Sequence, residues 1–199
     1  MLVSQQIEKR IKELPKGSLI FISDFSGEFE YEITRKVLQR LYQRKELIRI
    51  MRGIYYLPKE SKLLGTVYPS VEQIAEAIAK RDKARIIPTG SYALNQLGLS
   101  TQVPMNVVYL TDGSARKIEF GKQKITLKKI SPKNLAITHK LSNLIIQSLR
   151  ELGEKGVTSK IEEKIRIIIE RSGESELVKK NIINAPVWIQ KIVLRLIKE

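Results

Sequence analysis

Seven cations crowd into twenty-one residues of this chain. Arg35, Lys36, Arg40, Arg44, Lys45, Arg49 and Arg52 lie between Arg35 and Tyr55 against Glu46 alone, so the window carries +6. Gln39 and Gln43 are interleaved with them. The chemistry of such a set is the recognition of anions and of base edges. Arginine can reach guanine O6 and N7 with two parallel bonds, glutamine can pair with adenine, and lysine or a flanking arginine can neutralise phosphate. Arg35 and Gln39 are the expected base readers. Lys36, Arg40 and Gln43 are expected mainly to position, and Arg49 and Arg52 to meet the minor groove or the backbone.

Winding residues 31–45 at about 100° per residue gathers Ile33, Thr34, Val37, Leu38 and Leu41 in one arc. Glu32, Arg35, Lys36, Gln39 and Gln43 fall on the opposite arc, with Arg40 on its flank. Glu32 has two readings: an acceptor for cytosine N4, or a charge that repels DNA. Arg44 falls near the buried edge, where its stem is expected to lie over the core.

Other chemistries have little to work with. Zero cysteines exclude disulfides, thiolate zinc sites and cysteine nucleophiles. The single histidine, His139, stands alone in ITHKLSN at a helix start. Glu162 and Glu163 are adjacent and cannot share one helix face, and Glu174 and Glu176 read as solvated charges. Pro88-Thr89-Gly90-Ser91 could offer backbone N–H groups to a phosphate, but one glycine reads more simply as a capped turn. Trp188 and Tyr68 read as packing residues. The expectation is a protein that is not an enzyme, with no catalytic residues, no metal site and no cofactor.

The elements that must carry the basic window can be read from periodicity. Val3, Ile7, Ile11 and Leu14 mark an amphipathic helix over 3–14, stopped by Pro15 and Gly17. Ser18–Ile22 reads as a strand, and Ser23 as the cap of a short helical turn closed by Gly27. A stronger helix follows from Tyr31 to Lys45. Ile48–Met51 and Ile54–Leu57 read as two strands about Arg52-Gly53, stopped by Pro58. Helix, strand, short helix, longer helix and hairpin in about sixty residues is the order of a winged helix-turn-helix.

Residues 61–70 are expected as a polar linker between domains over 1–60 and 71–199. Val71, Ile74, Ala75, Ile78 and Ala79 make a helix capped by Ser70. Arg85–Ile87 reads as a strand and Tyr92–Leu97 as a short helix. Asn106–Thr111, Ala115–Phe120 and Lys124–Ile130 read as a β-meander turning at Asp112-Gly113 and Gly121-Lys122. The remainder, about 141–199, reads as a helical tail. The fold class is α+β throughout: a winged helix-turn-helix followed by an α+β domain.

Across all 199 residues, 36 Lys and Arg against 21 Asp and Glu leave +15, which calls for an anionic partner. Nine units of that excess fall between Lys80 and Lys140. No apolar run approaches the roughly 18 residues that span a bilayer, and the N-terminus reads as an amphipathic helix rather than a secretory signal. No membrane partner and a cytoplasmic location are expected.

The string RKVLQRLYQRKELIRIMRGIYYLP, Arg35–Pro58, resembles the end of the winged helix-turn-helix in AbiE-type antitoxins. These are the transcriptional-regulator half of bacterial abortive-infection (type IV) toxin–antitoxin systems. PTGSYALNQLGLSTQVPMNVVYLTDGSARKIEFGKQKITLK, Pro88–Lys128, is similar to the segment that follows this wing in a subfamily of them. The resemblance covers about residues 1–155 and leaves the helices from Val157 onward unmatched. It implies that the first domain binds double-stranded operator DNA, commonly inverted repeats upstream of its own operon, and represses it. It implies a second domain that supports antitoxic activity, a homodimer on adjacent half-sites, and a nucleotidyltransferase-like toxin encoded nearby.

Two other readings use the same charges. In one, the chain is a protein-interaction adaptor, or an antitoxin that contacts an acidic partner. In the other it binds RNA through the basic 80–140 surface, although VVYLT and KIEFG lack the closely spaced aromatics that base stacking uses.

Overall fold

The computed structural model describes residues 2–131, 135 and 137–198. The fold is α+β. The chain groups into two compact units, 1–78 with 118–122 and 79–117 with 123–199.

The first unit opens with helix α1 (Val3–Glu13), which buries Ile7 and Ile11. Strand β1 (Leu19–Phe21) runs into a single 3-10 turn over Ile22–Phe25. The cap expected from Ser23 comes instead from Asp24, whose Oδ2 accepts the Phe21 N–H at 2.8 Å. The turn begins at Ile22, so the side chain that can reach back to Phe21 is one residue later than the sequence suggests.

Helix α2 (Tyr31–Gln43) follows and buries Thr34, Val37, Leu38 and Leu41, the arc that the helical spacing predicts. It stops two residues short of Lys45 because Lys45 turns left-handed, at φ +61°. There the Lys45 N–H donates to Tyr42 O and the Glu46 N–H to Leu41 O, each at 2.9 Å, a closure in which glycine is the usual residue. Strands β2 (Ile48–Met51) and β3 (Ile54–Tyr56) pair antiparallel about Arg52-Gly53, with a register shift between Arg49 and Met51. Strand β1 adds to the far edge of β3, giving the order β1-β3-β2. Ile7, Ile11, Ile20, Phe25, Val37, Leu38, Leu41, Leu47, Tyr55 and Leu57 close over one another as the core that holds α2 against this sheet. Each large apolar side chain so buried contributes about 1.5–3 kcal/mol of transfer free energy.

The segment expected as a linker is folded. Strands β4 (Lys59–Ser61) and β5 (Gly65–Val67) form an antiparallel hairpin. Ser61 Oγ accepts from the Leu63 and Leu64 N–H groups at 3.3 and 3.4 Å, and the Tyr56 hydroxyl donates to Val67 O at 2.9 Å. Burial raises the Tyr56 phenol above its ordinary pKa. Polar strands this short show no alternation of apolar residues, so composition alone mistakes them for a connector. The first unit accordingly runs past 61–70, to Ile78. Helix α3 (Val71–Arg81) opens with a reciprocal cap: Gln73 N–H donates to Ser70 Oγ at 3.1 Å, and Ser70 N–H to Gln73 Oε1 at 2.9 Å.

In the second unit, β6 (Ile86–Thr89) continues through Pro88 and Thr89, which the sequence reading assigns to the next turn. Pro88 is tolerated because β6 is an edge strand of the order β6-β7-β9-β8. Helix α4 (Ser91–Gln96) starts after Gly90, whose φ is +66°. Strands β7 (Asn106–Thr111), β8 (Arg116–Phe120, whose residues from Ile118 group with the first unit) and β9 (Gln123–Lys129) sit where the three strands are expected, but they do not form a meander. Strand β7 pairs in parallel with β9, Val107 opposite Ile125 and Tyr109 opposite Leu127. All four of those side chains are buried. Joining the two strands that each supply several core residues outweighs the shorter β7–β8 connection.

The helices after residue 139 are not a tail. Helices α5 (Lys140–Leu152), α6 (Ser159–Ser172), α7 (Ser175–Ile182) and α8 (Val187–Lys198) share one core of Ile145, Leu149, Ile165, Ile169, Val178, Ile182, Ile189 and Val193. Ala93 of α4 and half-buried Trp188 pack into it. Among the described residues no helix is long and apolar enough to cross a membrane.

Candidate functional site

The arc of α2 opposite the core is the outward one: Glu32, Lys36, Gln39, Arg40 and Gln43 are exposed and Arg35 is half-exposed. Two concavities divide the residues singled out in the sequence. A groove of about 680 Å³ lies between α2 and the β2–β3 turn and brings together Arg35, Gln39, Arg49 and Arg52. Tyr31, Glu32, Tyr55, Ile22 and Gly53 complete its lining. A cleft of about 430 Å³ on the other flank of α2 gathers Lys36, Gln39, Arg40 and Gln43 against Ser4. Gln39 belongs to both.

Local folding explains the groove. The β2–β3 turn needs a left-handed residue, and Gly53 supplies it at φ +81°. The Ile22 N–H donates to Gly53 O at 3.2 Å, tying the turn to the 3-10 segment that precedes α2. Arg52 is thereby exposed beside the start of the helix. Arg49 faces outward from β2 between inward-facing Ile48 and Ile50.

Electrostatics distinguish the cations. Glu32 Oε2 accepts from Arg35 Nε at 3.1 Å and from Arg35 Nη2 at 2.8 Å. The hydrogen bond from Arg35 holds the Glu32 carboxyl below its ordinary pKa, and the same bond raises that of Arg35. Arg40 Nη2 lies 3.6 Å from Glu8 Oε1 of α1. Lys36, Arg49 and Arg52 have no carboxylate within ion-pair distance among the described residues. Arg44 does not lay its stem over the core. It caps α2 with an exposed side chain whose Nη1 is 4.0 Å from Glu46 Oε1, because the chain leaves the helix at this residue.

The i,i+3 spacing of Glu32 and Arg35 is visible in the sequence, but the pairing is not, since both side chains could equally have faced solvent. The Glu8–Arg40 contact has no sequence signal, because it depends on how α1 crosses α2.

The second unit spends much of its charge internally. Asp82 bridges Arg81 at 2.7 Å and Arg116 at 2.8 Å, and Asp112 accepts from the backbone and side chain of Arg85. Of the basic 80–140 stretch, Arg81, Arg85 and Arg116 are thus tied into the fold, and Lys133 lies outside the described residues. His139 is the residue that precedes the first turn of α5; its Nδ1 and Ser142 Oγ share a bond of 2.7 Å, and its Nε2 is 3.3 Å from Glu174 Oε2. The order resembles a hydroxyl–imidazole–carboxylate relay. Ser142 is fully buried, however, so no substrate reaches its hydroxyl, and the three residues act as a clasp between the starts of α5 and α7. The other paired glutamates also hold structure: Glu162 meets Arg195 at 2.6 Å, and Glu163 meets Arg166 at 2.7 Å.

No curated protein matches the chain. Residues 6–177 match the profile of DUF6088, described as a family of unknown function, and the chain belongs to that family.

Proposed function

We propose that the chain binds double-stranded DNA through α2 and the β2–β3 turn and acts as a transcriptional regulator. The observation that carries this reading is the convergence of Arg35, Gln39, Arg49 and Arg52 on one groove of about 680 Å³. A guanidinium and a carboxamide on a convex helix face suit base edges, and Arg49 and Arg52 beside them, with no carboxylate within ion-pair distance among the described residues, suit flanking phosphates. The element order and the β1-β3-β2 sheet support a winged helix-turn-helix, with α2 as the recognition helix and the β2–β3 turn as the wing.

Together with the resemblance of Arg35–Pro58 and Pro88–Lys128 to AbiE-type antitoxins, this favours an autorepressor encoded beside a nucleotidyltransferase-like toxin. Such a protein is cytoplasmic, pairs on operator half-sites and is not an enzyme. A mobility shift with the DNA upstream of its own reading frame tests the proposal. The full chain should retard that duplex, and Arg35→Ala with Arg52→Ala should abolish the shift while leaving the thermal transition in place. A doubly substituted protein that shifts the duplex as well as the wild type would refute the assignment of this groove.

A further inference from the structure

We propose that Glu32 is a positioning residue that makes Arg35 a reader of guanine rather than a general binder of phosphate; this rests on the DNA-binding reading above. The two bonds from Arg35 to Glu32 Oε2, through Nε at 3.1 Å and Nη2 at 2.8 Å, run along one edge of the guanidinium. A guanidinium carries five N–H groups in one plane. Closing the Nε–Nη2 edge leaves the end-on pair, one N–H from each Nη, which matches the spacing of guanine O6 and N7.

The charge balance leads to the same conclusion. A carboxylate against Arg35 offsets its attraction for the phosphate backbone, so what the residue gains from DNA must come from directed bonds. Arg49 and Arg52 line the same groove without such a carboxylate among the described residues, and phosphate neutralisation falls to them. Because Glu32 sits one turn before Arg35 on a continuous helix, the pair also restrains a side chain that would otherwise sample many rotamers. The groove therefore separates its tasks, with the paired arginine specifying and the unpaired ones holding.

The test uses the full chain and a library of randomised duplexes. Selection by the wild type should return a site with an invariant guanine. Replacing that guanine by 7-deazaguanine, which lacks N7, should weaken binding about tenfold, the scale of one lost bidentate partner. In Glu32→Ala, whose side chain is largely exposed and dispensable for folding, the 7-deaza penalty should shrink to about twofold while binding to a scrambled duplex strengthens. Glu32→Gln keeps an oxygen that accepts from the guanidinium and should retain most of the guanine preference. A full 7-deaza penalty in Glu32→Ala, or a selected site without guanine, would overturn the proposal while leaving DNA binding intact. Failure of the wild type to bind any duplex would overturn both.

Discussion

Asp112 holds Arg85 twice, accepting its backbone N–H at 2.7 Å and its Nε at 2.8 Å. Arg85 Nη1 goes on to donate to Leu135 O at 2.8 Å, so Arg85 ties the start of β6 to the end of β7 and to Leu135. The bonds from Arg85, the backbone N–H first, hold the Asp112 carboxyl below its ordinary pKa of 3.8. A carboxylate whose pKa is lowered by folding stabilises at pH above its unfolded value and loses that contribution as pH falls through its folded value. Asp112→Asn should lower stability at pH 7 by about 1 kcal/mol, the worth of charge-assisted bonds screened by nearby solvent. The difference from wild type should close below about pH 4. Urea midpoints at both pH values check this, and a gap that persists at low pH contradicts it.

Lys45 and Lys83 both take left-handed backbone at helix ends, at φ +61° and +51°. In each case the next residue closes the helix, with the Glu46 N–H on Leu41 O and the Ala84 N–H on Ala79 O, both at 2.9 Å. Lys45→Gly and Lys83→Gly should each raise stability by about 0.5–1 kcal/mol, because glycine lacks the Cβ that this conformation crowds. Alanine at the same positions should bring no such gain. Denaturant midpoints separate the two outcomes.

Gly113 is required by space rather than by φ. A Cβ built there would lie 2.7 Å from Ala84 Cβ and 3.3 Å from Thr111 Oγ1. Gly113→Ala should destabilise by about 1–3 kcal/mol, as overpacking does. Adding Ala84→Gly should recover much of the loss. Equal stabilities of the single and double variants would show that the backbone yields instead.

Where the chain states a period, the structure could be read from it. The 3.6-residue spacing of Thr34, Val37, Leu38 and Leu41 identifies the buried arc of α2, and with it the outward position of Gln39 and Lys36. Burial alternates along β7 and β9, with Val107, Tyr109, Ile125 and Leu127 inward, but the four consecutive apolar residues of β7 do not state its inward face, and alternation in any case assigns faces and is silent about partners. Hence the parallel β7–β9 pairing escapes a reading that joins neighbours in sequence. The β4–β5 hairpin escapes for a different reason, since its hydrogen bonds are made by polar residues that any solvated loop would also contain. At the groove, the residue types and the outward arc of α2 follow from periodicity, and the exposed tip from the Arg52-Gly53 turn, whereas their meeting in one groove depends on how the hairpin packs beside the helix. The pairing of Arg35 with Glu32, which sets it apart from Arg49 and Arg52, depends on rotamers that residue spacing does not state.

The most direct test of the central claim is the salt dependence of binding to duplex DNA, followed by fluorescence anisotropy with the full chain. If the helix and turn neutralise about six phosphates, log affinity should fall against log salt with a slope of about −5. Arg49→Ala and Arg52→Ala should each make that slope shallower by about 1. A wild-type slope near zero, or one that neither substitution changes, would contradict the account.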